Sequence, residues 1–296
     1  MKNPLFTGSC VAIVTPFKDG GADTEALGRL IEDQIEAGTS AIVICGTTGE
    51  ASTMPTEEHL AVVDYAVKKV GGRIPVIAGT GSNDTLHALE MSRAAEKSGV
   101  DGLLIVNPYY NKTSPHGLIS HYRYLADRVS TPIILYNVPS RTHMSFTAAQ
   151  YAELAKHPNI IGVKEASGDF GLLAKARAAC PEDFYFWSGN DDIVVPLMSM
   201  GGLGVISVAA NIIPREMADL CRACLDGDFQ KAAGIQLRYL DLINKLFIEV
   251  NPVPVKTALN LMGMEAGRLR MPLFDMAPEN VEVLKKAMIN AGLKLK

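Results

Sequence analysis

A single lysine, Lys164, directly follows the apolar run 160–163. A glycine, Gly168, ends this segment four residues later. Burial disfavours the charged ammonium form, so a lysine carried out of water in this way tends towards the neutral amine that attacks carbonyl groups. The alternative is that Lys164 closes a buried strand and reaches back to solvent. Taken alone, this stretch favours the structural alternative, because perturbed lysines only sometimes mark a functional site.

Eight short apolar runs rich in β-branched residues are spaced along the chain. Runs of this kind, nearly continuous in apolar character, are typical of parallel strands that are covered on both faces. The predicted strands are residues 11–14, 41–44, 75–78, 103–106, 132–136, 160–163, 184–187 and 204–208.

Amphipathic segments lie between these runs, and the first three have a capping residue in front and glycine behind. The predicted helices are residues 23–38, 56–72, 84–99, 115–129, 147–157 and 169–179. Eight strands with interleaved helices predict an α/β fold, the (β/α)8 TIM barrel. Residues 214–296 have mostly helical patterns and no strand runs. We therefore expect a barrel in residues 1–213 and an appended C-terminal helical layer in residues 214–296.

Polar residues follow each predicted strand, and in a TIM barrel these positions converge on one mouth, where the chemistry takes place. The set comprises Thr15, residues 46–50, residues 79–81, Asn107, Tyr109, Tyr110, Tyr136, Asn137, Arg141, Lys164, Glu165, Ser188, Gly189, Asn190, Ser207 and Asn211. A lysine among tyrosines, threonines and an arginine, without a compact set of His, Asp and Glu, indicates imine chemistry on a carbonyl compound. Tyr136 or Tyr110 would then shuttle protons.

Each of these side chains also has an ordinary structural role open to it. A core tyrosine whose hydroxyl group is hydrogen-bonded is an equally good interpretation of Tyr136. For Tyr109 and Tyr110 the structural alternative is a pair that packs in a loop or an interface. The glycines that flank residues 47 and 48 indicate a backbone cradle for a carboxylate or phosphate, or a plain turn. Arg141 suits the clamping of a carboxylate, although an arginine there is as often a surface ion-pair former.

Composition argues against several other classes of function. The net charge is −4 and the pI is near 5.9, with scattered basic residues, which argues against nucleic acid and anionic membrane as partners. The N-terminus lacks an apolar signal region and no run approaches a membrane span, which predicts a cytoplasmic protein.

Cysteine and metal-type motifs are weak. Five dispersed cysteines do not suggest a disulfide framework. Cys221 and Cys224 have C-x-x-C spacing but lie in a helical pattern without a second pair, so we interpret them as buried thiols. No dinucleotide or Walker sequence and no paired-histidine metal motif is present. The run from Asn190 to Asp192 predicts an acidic helix N-terminus rather than a hard-metal site.

Four motifs occur in order along the chain: GTTGE at 46–50, YNVPSRT at 136–142, GVKEASG at 162–168 and NPVPVK at 251–256. Together they resemble the dihydrodipicolinate synthase family of pyruvate-dependent class I aldolases, which also includes N-acetylneuraminate lyase. The resemblance covers essentially the whole chain. It implies condensation of pyruvate with aspartate semialdehyde through a lysine Schiff base, giving 4-hydroxy-tetrahydrodipicolinate for diaminopimelate and lysine biosynthesis. No metal or organic cofactor is expected, because the imine itself is the electron sink.

The resemblance also implies a role for each matching position. Lys164 forms the imine with pyruvate, while Tyr136, Thr47 and Tyr110 relay protons. Tyr110 is expected to enter the site of a neighbouring subunit, so that catalysis requires a dimer, within a homotetramer made of two tight dimers. The substrate-binding positions are Thr47 and Thr48 for the pyruvate carboxylate, Arg141 for the carboxylate of aspartate semialdehyde, and the backbone of Gly189 and Ile206 for the pocket lining.

Some positions depart from the family pattern. Asn190 replaces a frequent aspartate, so a charge role is not expected there. Lysine-sensitive members bind the end product at the dimer interface through positions that match His59, Asn83, Tyr109 and a glutamate. Here the glutamate position is His87, and Thr56 replaces a frequent histidine. We predict weak or absent feedback inhibition by lysine, because the anion that should hold the lysine ammonium group is missing.

Within the family, Thr47 followed by Thr48, together with Arg141, favours the synthase, because the sialic acid lyases usually carry Ser-Thr there and lack this arginine. One alternative is another pyruvate-dependent aldolase that acts on a sugar acid. A second is a barrel that binds small carboxylates for regulation without turnover. The presence of both Lys164 and Tyr136 disfavours the second alternative.

Overall fold

The computed structural model describes all 296 residues and contains a closed barrel of eight parallel strands. The barrel strands are β1 (Gly8–Ala12), β4 (Ala41–Ile44), β5 (Val76–Gly79), β6 (Gly102–Val106), β7 (Ile133–Asn137), β8 (Ile160–Glu165), β9 (Tyr185–Ser188) and β10 (Gly204–Ser207). A separate antiparallel hairpin is formed by β2 (Phe17–Lys18) and β3 (Gly21–Ala22). Strand β1 closes the barrel by pairing with both β4 and β10. The predicted TIM barrel is confirmed.

Helices follow the barrel strands and continue beyond the last one. They are α1 (Thr24–Glu36), α2 (Thr56–Val70), α3 (Thr85–Ser98), α4 (Pro115–Ala126), α5 (Pro139–Thr142), α6 (Ala148–Leu154), α7 (Phe170–Ala179), α8 (Val194–Ser199), α9 (Pro214–Leu225), α10 (Phe229–Lys245), α11 (Val253–Leu261) and α12 (Pro278–Asn290). Asp23 and Asp84 cap α1 and α3 by accepting hydrogen bonds from first-turn amides. None of the helices combines the length and apolar character needed to cross a bilayer.

The apolar residues form two separate cores, because successive side chains of a strand point to opposite faces. One cluster of 68 buried residues fills the layer between the strands and the helices and includes Leu103 and Ile133. A smaller cluster of 14 buried residues fills the barrel interior and includes their neighbours Leu104 and Ile134. Burial on both faces explains why the strands read as continuous apolar runs rather than as alternating ones.

The last four helices form the C-terminal part of the molecule. Helix α9 packs against β1, β10 and α8, where it covers the seam at which the barrel closes. Helix α10 packs on α8 and α9, and α12 packs on α10 and α11. Cys221 and Cys224 lie on α9, and both thiols are buried.

Seven of the eight predicted strands agree with the structure to within two residues at each end. The first strand lies at Gly8–Ala12 rather than at 11–14, because Ile13 and Val14 are buried in the connection after it and extend the apolar run. The β2–β3 hairpin and helix α5 were not predicted, and of the helical segment that includes α8 only the acidic start at residues 190–192 was. These elements have two to six residues each, too few to establish a period.

Candidate active site

Lys164 is the next-to-last residue of β8, in which every residue is buried, and its side chain is only 5% exposed. In the barrel, Lys164 pairs in register with Tyr136 of β7 on one side and Trp187 of β9 on the other. The Lys164 Nζ atom lies 4.5 Å from the centroid of the Tyr136 ring. The amine is therefore held at the carboxyl end of the barrel, against a phenol.

The chain has a second deeply buried lysine, Lys256, and the two have opposite surroundings. Lys256 is 1% exposed and forms an ion pair with the equally buried Glu50, at 2.8 Å. Its Nζ also donates to the carbonyl oxygens of Thr15 and Arg268. The Lys164 side-chain amine forms no salt bridge and no hydrogen bond within the chain, and its neighbour is the Tyr136 ring. Because Lys256 uses its amine fully for structure, Lys164 is the better candidate nucleophile.

A cavity of about 980 Å³ opens at the carboxyl ends of the strands and contains Lys164 in its wall. The predicted site residues that line it are Thr47, Thr48, His59, His87, Tyr109, Tyr136, Arg141, Lys164 and Gly189, and Asn190 lines it too. Gly189 is required to be small, because a Cβ atom there would lie 2.6 Å from Ala166 Cβ and 3.1 Å from Lys164 Cγ. Residues that follow seven of the eight barrel strands, β4 to β10, thus meet around the lysine.

The segment Gly46–Glu50 forms a tight turn rather than a helix start. Its turn hydrogen bonds run from Gly49 N to Gly46 O and from Glu50 N to Thr47 O, each 3.1 Å. The intervening amides of Thr47 and Thr48 donate to no acceptor of the chain. Two free backbone N–H groups beside two hydroxyl groups make a suitable cradle for a carboxylate.

Three predicted site residues lie outside the cavity wall. Tyr110 is 92% exposed and has a φ of 65°, and it does not line the cavity. Ile206 is fully buried in β10 below the cavity. Asn83 precedes the cap of α3, and its carbonyl oxygen accepts a hydrogen bond from the Asn111 side chain at 3.1 Å.

His59 and His87 line the same cavity as Lys164, on the side of α2 and α3. Burial lowers the pKa of His59 to about 4, so its imidazole is neutral at pH 7. The one carboxylate in the cavity wall is Glu249, whose Oε1 accepts hydrogen bonds from Ala277 N and Asn280 Nδ2. Outside the wall, Glu90 Oε2 lies 3.9 Å from His87 Nδ1.

The acidic run after β9 serves a structural purpose. Asp191 and Asp192 lie in the first turn of a 3-10 helix, as an acidic helix N-terminus should. The buried Asp191 carboxylate, however, accepts hydrogen bonds from Val208 N at 3.0 Å and Ala209 N at 2.9 Å, on the connection after β10. Burial raises its pKa. Asp191 thus ties two neighbouring loops of the mouth together.

One polar residue of the cavity was not predicted as a site residue. Asn251 lies in the connection before α11 and is 6% exposed. The motif at 251–256 contributed to the family resemblance, but no strand end precedes it. The rule that site residues follow barrel strands could not find Asn251, because it precedes helix α11 and follows no strand. Only the NPVPVK motif pointed to it.

Comparison with known proteins agrees with this geometry. The model of the dihydrodipicolinate synthetase family matches residues 5–291. This chain belongs to that family. The 4-hydroxy-tetrahydrodipicolinate synthase of Acetivibrio thermocellus is 52% identical over 293 residues, covering 99% of this chain and 100% of the relative.

Solved structures of the family superpose closely on this chain. Dihydrodipicolinate synthase from Aquifex aeolicus has a TM-score of 0.96 at 45% identity, covering 98% of this chain and 100% of that one. The chloride-inhibited dihydrodipicolinate synthase from Acinetobacter baumannii, described in complex with pyruvate, has a TM-score of 0.95 at 43% identity, covering 97% and 99%. The family resemblance predicted from the four motifs is confirmed.

Proposed function

We propose that this chain is a 4-hydroxy-tetrahydrodipicolinate synthase, a carbon–carbon lyase that condenses pyruvate with aspartate semialdehyde. Curated relatives with that name match this chain over nearly its full length. The observation that carries the proposal is the buried, unpaired amine of Lys164 against Tyr136 in the wall of the mouth cavity. An amine in this position suits imine formation with a keto acid.

In the proposed reaction, Lys164 Nζ attacks the keto carbon of pyruvate, and the carbinolamine loses water to give the imine. Loss of a methyl proton gives the enamine, whose carbon attacks the aldehyde carbon of aspartate semialdehyde, and the aldehyde oxygen takes up a proton. The amino group from the semialdehyde then attacks the imine carbon, closes the ring and releases Lys164. The phenol of Tyr136 lies beside the amine and is placed to give and take these protons.

Two places at the mouth are suited to the substrate carboxylates. We assign the pyruvate carboxylate to the hydroxyl groups and free amides of Thr47 and Thr48. We assign the carboxylate of aspartate semialdehyde to Arg141, which lies at the exposed edge of the cavity. A guanidinium binds a carboxylate through two parallel hydrogen bonds, which orients the second substrate as well as holding it.

We further propose that the active form is a homotetramer made of two tight dimers, with Tyr110 entering the proton relay of the partner's site. The exposure of Tyr110 and the partial exposure of Tyr109 support this, because large aromatic side chains on a rim are typical of interfaces. We also propose that residues 1–213 form the barrel unit and residues 214–296 a helical segment packed on it. A cytoplasmic location is proposed as well, and the five unpaired cysteines support it.

Trapping with borohydride tests the function. The protein is incubated with pyruvate and reduced, and its peptides are mapped by mass spectrometry. We expect a pyruvate adduct on Lys164 and none on Lys256, the matched buried lysine. If no adduct forms on Lys164, the lyase assignment fails. A coupled assay that compares aspartate semialdehyde with sugar-derived aldehydes then separates the synthase from a sugar-acid aldolase.

A further inference from the structure

Asn251 touches both of the groups to which we assign substrate carboxylates. Its side-chain Nδ2 donates a hydrogen bond to Thr48 Oγ1 at 3.0 Å. Its backbone carbonyl oxygen accepts a hydrogen bond from Arg141 Nη2, also at 3.0 Å. Asn251 itself is 94% shielded from solvent, since its exposed fraction is 6%. A single residue of the C-terminal segment thus links a threonine of the β4 connection to an arginine of the β7 connection.

The bond from Asn251 decides which way the Thr48 hydroxyl group points. A hydroxyl group has one proton to donate and lone pairs that accept. Because the amide of Asn251 supplies the proton between the two side chains, Thr48 accepts there and keeps its own proton. Thr48 Oγ1 has no other hydrogen-bond partner in the chain. Its O–H is therefore available for an acceptor in the cavity, which is what a bound carboxylate presents.

We propose that Asn251 is a positioning residue of the condensation. Its side chain holds the Thr48 hydroxyl group as a donor towards the pyruvate carboxylate. Its backbone carbonyl oxygen keeps the Arg141 guanidinium at a fixed distance from that threonine. The inference rests on the proposed function, because it takes Thr48 as the pyruvate-binding group. It adds a residue of the C-terminal segment to the machinery of the barrel mouth.

The position of Asn251 is itself secured by the charge network at the start of α11. Lys256, five residues later, is bound to Glu50 at 2.8 Å, to Thr15 O at 3.0 Å and to Arg268 O at 2.8 Å. Glu50 follows Thr48 by two residues. The turn that carries Thr48 is thus held by the same segment at two points, once through Asn251 and once through Lys256, so the relative position of the donors does not depend on a free loop.

The substitution N251D tests this inference with almost no change in shape. The introduced carboxylate only accepts hydrogen bonds, so it takes the single proton of Thr48 and turns the hydroxyl group away from pyruvate. We expect the KM for pyruvate to rise roughly 10- to 100-fold, with a smaller change in kcat. N251A frees the hydroxyl group without reversing it, so its pyruvate KM should rise less, although it removes more packing. A residue with a packing role alone would give the reverse order, which would overturn the proposal.

A repeat of N251D in a T48V background separates hydrogen bonding from simple repulsion between carboxylates. If Asn251 acts through Thr48, the rise in pyruvate KM caused by N251D shrinks several-fold in T48V. An unchanged rise would show repulsion and would also overturn the proposal. Borohydride trapping distinguishes failure of the proposed function from failure of the Asn251 role. Absence of a pyruvate adduct in the wild type would refute the proposed function. A normal wild-type adduct together with a normal pyruvate KM in N251D would refute only the role of Asn251.

Discussion

Lys164 and Tyr136 face each other inside the barrel because β8 contains an irregularity next to β7. The pairing runs from Ile133–Ile160 directly to Ile134–Gly162, so one residue, Ile161, is passed over. Ile161 already points into the barrel interior. Strict alternation from Ile161 would send Lys164 outwards, towards the helices. The extra residue reverses the alternation and turns the lysine inwards, onto the Tyr136 ring.

Removal of the Tyr136 hydroxyl group should slow turnover without preventing imine formation. We expect Y136F to lower kcat by about 10²- to 10⁴-fold, because proton transfer by a positioned side chain contributes that much. The adduct on Lys164 should still be trapped by borohydride, only more slowly. Y124F, on a half-buried tyrosine of α4 outside the cavity, is the control. Wild-type kcat in Y136F would remove Tyr136 from the proton relay.

Tyr110 should act in trans. Y110A and K164A proteins should each be nearly inactive, but a mixed dimer unites Lys164 of one chain with Tyr110 of the other in one of its two sites. After dissociation and equal mixing, we expect about a quarter of wild-type activity to return, from random pairing of subunits in a two-fold dimer. Mixing K164A with Y136F provides the control, because both changes affect one subunit's own site. No recovery in the first mixture would contradict a shared site.

Lysine should inhibit weakly or not at all. Glu249, the one carboxylate that lines the cavity, already accepts two hydrogen bonds, and Glu90 lies outside the wall, 3.9 Å from His87 Nδ1. His59 is neutral at pH 7. Titration of lysine against the initial rate measures this directly. The variant H87E restores an anion at the divergent position and should increase sensitivity to lysine. Strong inhibition of the wild type at millimolar lysine or below would show that the site binds lysine by other contacts.

The buried pair of Lys256 and Glu50 should be important for stability. K256M leaves the Glu50 carboxylate buried without its partner, which costs about 3–5 kcal/mol of the free energy of unfolding. Urea unfolding measures the change, and the double variant E50Q/K256M should recover part of it. K68M, which breaks the exposed pair of Lys68 and Asp64, is the control and should have little effect. An equally small loss in K256M would mean that the buried pair does not stabilise the fold.

Stability should fall as the pH is lowered from about 6.5 to 4. Burial lowers the pKa of His59 and His121 from 6.5 to about 4. Between these values the unfolded chain binds more protons than the folded one, so each histidine destabilises the fold by on the order of 3 kcal/mol at pH 4. H121Q should flatten the pH dependence of the unfolding free energy, whereas H116Q, on the exposed His116, should not. Equal slopes in both variants would refute the assignment to His121.

The sequence by itself determined the barrel and most of its candidate mouth. Continuous apolar strands alternating with capped helices admit few other folds, and in a parallel barrel every residue that follows a strand lies near the same opening. Lys164, Tyr136, Thr47, Thr48 and Gly189 could therefore be placed together without coordinates.

Only the tertiary structure decided which side chains are free to react. The irregularity at Ile161 sets the direction of Lys164, and no local pattern reveals it, since it arises from pairing with β7. The contrast with Lys256 depends on Glu50, which is 206 residues distant in sequence. The link from Asn251 to Thr48 spans 203 residues. Contacts of this range follow from packing of the C-terminal helices on the barrel, which propensity and periodicity do not encode.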